Sequence, residues 1–296
     1  MSTASLLRLL TLSAIWGSSF MFMRISAPEL GPVAMMAGRF TSAAIFLIIV
    51  TIILRRAVNL RTNARQYVVQ GLMSATIPFL MFGFAAQTLP ASILAVLNAT
   101  APIWGAILGA VVNGHRPTGT ALIGLLLGIS GVGVLVGFDP SMLNEGAGLA
   151  ALAAVGATMF YSASAIYVQR NPVTDPLMTA LGCMLVSTIA VTPAAPFFLP
   201  ASMPSPLVIA SVLALGILCS GIAYLIYFRL IADIGPASAL TVTFLIPVFG
   251  ILWGAVFLNE HLGWNTLIGS IIVIIGTALV TGFRPAFLRA RQQVAA

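Results

Sequence analysis

The chain alternates between long apolar runs and short polar connections that are rich in Gly, Pro and Asn. An α-helix needs about 20 mostly apolar residues to cross the hydrocarbon core of a bilayer. The pattern therefore predicts an all-α integral membrane protein without a separate soluble domain. The ten predicted spans cover residues 5–24, 32–54, 66–87, 91–112, 118–138, 147–169, 176–198, 206–231, 236–258 and 264–283.

Composition favours the same class of protein. Hydrophobic residues make up 60% of the 296 residues and charged residues only 6%, whereas soluble domains carry about 25% charged residues. The net charge of +7 does not indicate nucleic-acid binding, because the cationic residues punctuate apolar runs instead of forming a stripe. Cys183 and Cys219 both lie inside apolar runs, so we expect neither a disulfide nor a metal site. No cofactor is expected.

The arginines predict the orientation, since cytoplasmic loops are enriched in Lys and Arg. The sequence has no Lys and 13 Arg. If the amino terminus is cytoplasmic, Arg24 lies at the outer face and Arg39 lies within span 2. The other arginines then fall at the inner face: Arg8, Arg55, Arg56, Arg61, Arg65, Arg116, Arg170, Arg229, Arg284, Arg289 and Arg291. We predict a multi-pass protein of the cytoplasmic (inner) membrane with both termini in the cytoplasm.

The two halves of the chain share a sequence motif, called below the shared motif. Residues 89–110 read LPASILAVLNATAPIWGAILGA, and residues 234–255 read IGPASALTVTFLIPVFGILWGA. The duplication divides the chain into a first repeat over residues 1–140 and a second over 141–296. Matched pairs are Ser74 with Ser220, Pro90 with Pro236, Ser92 with Ser238, Pro102 with Pro247, Gly105 with Gly250, Gly109 with Gly254, Gly124 with Gly269 and Gly131 with Gly276.

Five predicted spans in each repeat give the second repeat an inverted orientation, because five is odd. Inverted repeats around a central cavity are typical of secondary transporters, whose substrate path lies between the repeats near the membrane midplane. A duplicated membrane enzyme or scaffold without transport is the alternative.

Several motifs carry a resemblance to a known family. They are WGSSFMFMR in span 1, an Arg in span 2, LPAS…N.T.P..G…G across spans 3 and 4, and GPAS…P..G…G…NE in the second half. Together they resemble the drug/metabolite transporter (DMT) superfamily, in its EamA-type branch of ten-span exporters. The resemblance implies a basket-like bundle with a central cavity. It also implies export of small metabolites, among which amino acids, including aromatic ones, are the best-known cargo.

The shared motif also contains prolines and glycines at equivalent positions in the two halves. Pro102 and Pro247 lie in mid-span, where each removes a backbone hydrogen bond, so we expect kinked helices with a gating or a structural role. Glycines four residues apart let helices approach closely. We therefore expect helix packing, and not substrate contact, at Gly105, Gly109, Gly250 and Gly254.

A few polar groups within an apolar and aromatic wall are typical of a small-molecule cavity. The candidates lie at comparable depth in six different spans. The predicted cavity residues are Trp16, Phe20, Phe79, Asn98, Thr100, Tyr161, Tyr224 and Thr243. Such a lining suits zwitterionic or apolar cargo.

Arg39 is the one cation that lies more than a turn inside a predicted span, and no acid occupies a span centre. A charge at that depth costs several kcal/mol unless it is paired or hydrated. We expect a gating or structural role near the outer face. Binding of a substrate carboxylate and snorkelling to the interface are the alternatives.

Rival functions lack their chemical signatures. An intramembrane enzyme needs a reactive group of residues at one depth, and a channel needs a filter or charged vestibule; neither pattern is visible. A nucleotide-sugar or drug transporter of the same superfamily remains an alternative, although phosphates call for more cations at depth. The predicted function is export of amino acids or related small metabolites by alternating access. The expected partners are this substrate and membrane lipid, and a monomer is compatible with the sequence.

Overall fold

A computed structural model describes residues 2–56, 60–114, 118–137, 145–171, 175–235, 239 and 241–281. These residues form helices and connections without any strand, so the all-α prediction is confirmed for them. Among the described residues, six helical segments are long and apolar enough to cross a membrane, and three shorter apolar helices accompany them. Six residues used above lie outside the described ones: Arg116, Pro236, Ser238, Arg284, Arg289 and Arg291.

Helix α1, Thr3–Ile53, consists of two arms that meet at Gly31. Gly31 has φ 68° and ψ 171°, a left-handed conformation that glycine adopts without the steric cost of a Cβ. Pro28 and Pro32 flank the turn, and each removes a backbone N–H from the helical ladder. The predicted boundary between spans 1 and 2 lies at this turn.

The rest of the first half contains five further helices. Polar or glycine-containing connections separate most of them. The bounds are α2 Ala64–Gly71, a π-helical segment Leu72–Thr76, α3 Ile77–Ala85, α4 Ala91–Asn98, α5 Ala101–Asn113 and α6 Gly119–Gly137.

The second half follows the same order of elements, with a short 3₁₀ segment added. The bounds are α7 Ala147–Arg170, α8 Pro176–Val191, a 3₁₀ segment Thr192–Phe198, α9 Pro206–Leu213, a π-helical segment Ala214–Ile222, α10 Ala223–Ile234, α11 Val242–Leu258 and α12 Trp264–Val280.

The two π-helical segments occupy equivalent positions in the repeats. Ser74 lies in Leu72–Thr76 and its repeat partner Ser220 lies in Ala214–Ile222. A π-helical turn leaves some carbonyls without their usual helical partner, and such turns are frequent at functional sites. Nothing in the apolar periodicity predicts them.

The mid-span kink predicted at Pro102 is present, as an interruption of the helix in the turn that precedes this proline. Helix α4 ends at Asn98, and α5 begins at Ala101 with Pro102 in its first turn. Proline fits this position because the first turn has no helical acceptor for its N–H. Pro247, by contrast, lies inside α11.

Helices α6 and α12 pack directly through glycines. A methyl group added to Gly124 would lie 2.6 Å from the carbonyl oxygen of Gly276, and one added to Gly131 would lie 3.0 Å from that of Gly269. The pairing runs antiparallel and is reciprocal, because Gly124 corresponds to Gly269 and Gly131 to Gly276 in the repeat. The two backbones are therefore in contact where the sequence repeats itself.

Large apolar side chains between the helices are fully buried. The outer surface of the bundle is also apolar. Leu126, Leu152 and Ile189 are each about 70% exposed, as expected of side chains that face lipid. The largest buried side chains are Leu12, Met35, Met36, Phe40, Leu47, Phe82, Leu89, Ile93, Leu94, Leu97, Leu135 and Leu181.

Replacement of Gly131 by Ala should destabilise the protein, because the added methyl group would lie 2.8 Å from the backbone nitrogen of Val273. Overpacking of this kind costs about 1–3 kcal/mol. We expect a Tm in detergent several degrees below that of the wild type. Gly133→Ala is the matched control on α6, since nothing lies within 4 Å of an added methyl group there. Equal Tm values for the two variants would contradict the close helix contact.

Candidate functional site

A cavity of about 640 Å³ lies at the centre of the helical bundle. Both halves of the chain contribute to its wall, which is mostly apolar and aromatic. The lining residues are Trp16, Ser19, Phe20, Arg39, Ser74, Phe79, Asn98, Ala101, Pro102, Gly105, Tyr161, Ser162, Ala165, Cys219, Tyr224, Tyr227, Thr241, Thr243, Phe244, Ile246 and Thr281. Its size is that of a typical small-molecule site.

The structure brings seven of the eight predicted cavity residues to this wall. Trp16, Phe20, Phe79, Asn98, Tyr161, Tyr224 and Thr243 all line the cavity.

Thr100 does not line the cavity. Its side chain is buried, and its hydroxyl donates to the carbonyl oxygen of Leu97 at 2.7 Å and lies 3.3 Å from the hydroxyl of Thr158. The break between α4 and α5 turns Thr100 towards α7. Its position in the sequence beside Asn98 was therefore misleading, because the chain is not a continuous helix there.

The aromatic side chains form two clusters on the wall. In the first, Tyr161 contacts Phe79 edge-on at 6.2 Å between ring centroids and stacks with Phe82 at 6.1 Å. In the second, Trp16 lies 6.3 Å from Tyr224 and 5.3 Å from Tyr227. Mutual packing of the rings holds each cluster in place, so the cavity offers preformed apolar faces to a ligand.

The second π-helical segment anchors part of this wall. The indole N–H of Trp16 donates to the carbonyl oxygen of Cys219 at 3.2 Å, and the hydroxyl of Ser220 donates to the carbonyl oxygen of Leu215 at 3.0 Å. Side chains thus satisfy carbonyls within the irregular segment, as a membrane interior requires.

Arg39 lies on the cavity wall and is only 3% exposed. Its Nε donates to the hydroxyl of Ser220 at 3.0 Å, and its guanidinium carbon lies 3.8 Å from the ring centroid of Phe79. The Arg39 side chain therefore stays inside the bundle and does not extend to the membrane interface. Among the described residues no carboxylate forms an ion pair with it.

The predicted close packing is present at Gly250 and Gly254 of α11 and absent at Gly105 and Gly109 of α5. A methyl group added to Gly250 would lie 2.3 Å from the Cβ atom of Ala95, and one added to Gly254 would lie 2.5 Å from the carboxylate of Glu260. A methyl group on Gly105 would meet only the Ser162 hydroxyl, at 3.9 Å, and one on Gly109 would meet nothing within 4 Å. Gly105 lines the cavity instead.

Several lining residues were not among the predicted ones, notably Ser74, Tyr227 and Thr281. The only signal for Ser74 in the sequence is that the same residue type recurs at its repeat partner, Ser220. Tyr227 and Thr281 lie near the ends of their predicted spans, away from the depth of the other candidates. Only the three-dimensional structure shows that the cavity reaches them.

The sequence profile of the EamA-like transporter family matches the chain twice, over residues 3–137 and 148–282. The chain belongs to the EamA-like transporter family. It is thus a multi-pass membrane transporter of the DMT superfamily and not an enzyme.

Curated relatives of this EamA-like protein are similar over nearly their full length. An uncharacterized transporter of Archaeoglobus fulgidus is 26% identical, with 90% of this chain and 94% of the relative covered. The uncharacterized transporter YcxC of Bacillus subtilis is 26% identical, with 89% and 88% covered. A probable terminal-alkyne amino-acid exporter of Streptantibioticus cattleyicolor is 25% identical, with 90% and 89% covered.

A solved crystal structure of a protein has the same fold as this EamA-like chain. It has a TM-score of 0.67 and 20% identity, with 99% of each chain covered. At this identity the likeness concerns the fold alone.

A cysteine introduced at Ala165 should react with a water-soluble maleimide, because Ala165 is exposed and lines the cavity. Ala157→Cys is the matched control on α7, where the side chain is 0% exposed. Both would be made in a background with Cys183 and Cys219 replaced by Ser. We expect labelling at position 165 to be at least about tenfold faster, as measured by mass spectrometry. Equal rates would contradict an accessible cavity.

Proposed function

We propose that the protein is a secondary transporter that exports amino acids or related small metabolites across the cytoplasmic membrane by alternating access. The observation that carries this proposal is the central cavity, which is built from both halves of a duplicated chain and lined by preformed aromatic clusters. Alternating access requires two related halves that can rearrange around such a site.

The proposal includes an inverted relation between two five-span repeats, residues 1–140 and 141–296. The two matches to the family profile support this division. The reciprocal glycine contact between α6 and α12 supports the inversion, because equivalent helices that pack antiparallel are related by a two-fold axis perpendicular to them. For helices that cross the membrane, this axis lies in the membrane plane.

Contacts between span ends that are far apart in the sequence agree with ten spans and a cytoplasmic amino terminus, because each contact joins ends on the same predicted side. Arg8 forms an ion pair with Asp233, and the amide of Gln66 donates to the carbonyl oxygen of Asn171. Both contacts join ends that the arginine distribution assigns to the cytoplasm.

At the opposite end, Glu29 accepts a hydrogen bond from the backbone N–H of Ser205 at 2.6 Å. This contact joins two ends that the same distribution assigns to the outer face. It also ties the turn between the two arms of α1 to the start of α9, that is, one half of the chain to the other.

The cavity extends towards the predicted cytoplasmic side. Thr281, which is exposed at the end of α12, and Tyr227 of α10 both line it. At the outer end, Glu260 binds the start of α4: its carboxylate accepts from the backbone N–H groups of Ala91 and Ser92 at 2.6 and 3.0 Å. We infer a conformation that is open to the cytoplasm and closed to the outside.

Arg24 contributes to the same closure. Its guanidinium donates to the carbonyl oxygens of Ala86 and Gln87 at 2.9 and 2.7 Å. A cation suits these groups because the carboxyl end of a helix, here α3, carries partial negative charge.

The choice of amino acids rests on the wall chemistry and on one relative. Aromatic faces beside a single cation, Arg39, suit a small amphipathic molecule better than a nucleotide sugar, whose phosphates call for several cations. The relative named as a probable terminal-alkyne amino-acid exporter supports the same class of cargo.

Transport should be abolished when the cavity is filled. Ala165→Trp places a large ring on the cavity wall, whereas Leu152→Trp places the same ring on a 70% exposed, lipid-facing position of α7. In liposomes with purified protein, we expect saturable counterflow of labelled neutral or aromatic amino acids for the wild type and for Leu152→Trp. For Ala165→Trp we expect at least about a tenfold loss. Exchange of a labelled nucleotide sugar in place of amino acids would overturn the proposed cargo.

Glu260→Gln should shift the protein away from the cytoplasm-open conformation. The amide keeps the size of the side chain but loses the charge and one of the two acceptor oxygens that hold Ala91 and Ser92. In inverted membrane vesicles, we expect several-fold slower labelling of Ala165→Cys by an impermeant maleimide. Glu145→Gln is the control, since Glu145 is exposed. Unchanged labelling in Glu260→Gln would contradict the outer closure.

A further inference from the structure

Arg39 holds hydrogen-bonding capacity that the protein itself does not use. A guanidinium carries five N–H donors. Nε donates to Ser220, and one terminal nitrogen lies 4.0 Å from the sulfur of Met23, a weak acceptor. Within the part of the chain that the structure describes, the guanidinium has no other side-chain or backbone acceptor. A buried cation with free donors is costly unless something pairs with it.

The surroundings hold the guanidinium in one orientation. Phe79 covers one face of its plane at 3.8 Å, and Phe79 is itself stacked on Phe40 at 6.0 Å. On the Nε side, a methyl group on Gly216 would lie 2.5 Å from the carbonyl oxygen of Arg39. This close approach brings the π-helical segment, and with it Ser220, against α1.

The terminal nitrogens are thus the donors for which the described structure provides no strong acceptor, and Arg39 is among the residues that line the cavity. Two parallel N–H groups of a guanidinium match the two oxygens of a carboxylate, which gives a short, charge-assisted and geometrically specific pair. A lysine would not offer this planar fork.

No acid balances Arg39 among the described lining residues of the cavity. Glu29, Asp233 and Glu260 are engaged at the two ends of the bundle. The wall therefore presents one positive charge and no negative one. A ligand carboxylate finds a fixed partner there, whereas a ligand ammonium finds aromatic faces but no carboxylate.

We propose that Arg39 binds the carboxylate of the transported molecule and that this carboxylate, not an ammonium group, is the polar feature that the site requires. The inference rests on the proposed transport function and specifies its substrate class. The cargo is a monocarboxylate with an aromatic or apolar body that fits between the Tyr161 and Trp16 clusters. An amino group on such a molecule is tolerated but not required.

Four compounds with the same phenyl body test this inference: phenylalanine, 3-phenylpropanoate, phenylalaninamide and 2-phenylethylamine. Their binding to the purified full-length protein in detergent is measured by the shift in Tm as a function of concentration. The two carboxylates should bind at least about tenfold more tightly than the amide and the amine, since hydrogen bonds to charged groups contribute about that factor. Equal binding of all four, or tighter binding of the amine, overturns the inference.

Variants separate a direct role of Arg39 from a general loss of structure. Arg39→Gln should reduce the preference for carboxylates to within about threefold. Ser220→Ala removes the acceptor of Nε but keeps the charge, so the preference should fall several-fold while amide binding is unchanged. Ser26→Ala is the control, because the buried Ser26 hydroxyl has no hydrogen-bond partner in the described structure. An undiminished preference in both Arg39→Gln and Ser220→Ala overturns the inference.

Counterflow in liposomes distinguishes this inference from the proposed function. Labelled phenylalanine is the probe, and the other three compounds are competitors. If phenylalanine moves and the amide competes as well as 3-phenylpropanoate, transport stands and the role of Arg39 is wrong. If no labelled amino acid moves, the transport proposal fails, and the binding comparison still decides whether Arg39 selects carboxylates.

Discussion

A bilayer interior offers no water to backbone N–H and C=O groups, so each of them must find a partner inside the protein. Regular helices meet this requirement over most of the described chain. In mid-run the helix departs from regular geometry at Leu72–Thr76, at Ala214–Ile222 and between α4 and α5. Ser74 and Cys219 of the two π-helical segments line the cavity, as do Asn98 and Ala101, which flank the third interruption. The irregular backbone therefore lies beside the cavity, where polar side chains can satisfy its carbonyl groups.

These departures also build the polar chemistry of the site. The Ala214–Ile222 segment presents a carbonyl to Trp16 and the hydroxyl of Ser220 to Arg39. A buried cation is thereby held against an aromatic ring without any acid nearby in the described structure. The π-helical segment in which side chains satisfy the backbone carbonyls thus also fixes the orientation of Arg39 towards a ligand.

The two halves share their helical framework but not their charges. The contact between α6 and α12 is reciprocal, and the two π-helical segments occupy equivalent positions. Arg39, in the first half, is the one charged side chain among the described residues that line the cavity. The repeated sequence accounts for the shared framework, and one side chain of the first half gives the described wall its charge.

The sequence by itself determined the helical class, the approximate course of the helices and most of the aromatic wall, because apolar length and side-chain type are local properties that every fold must respect. Asn98 and Tyr161 could be predicted for the cavity on this ground. The tertiary structure alone decided that Thr100 turns away and that Gly105 faces the cavity instead of a helix. Each of these depends on a helix interruption only one or two residues long. Such an interruption rotates all following side chains about the axis, and no apolar pattern records it, since both sides of the helix remain apolar.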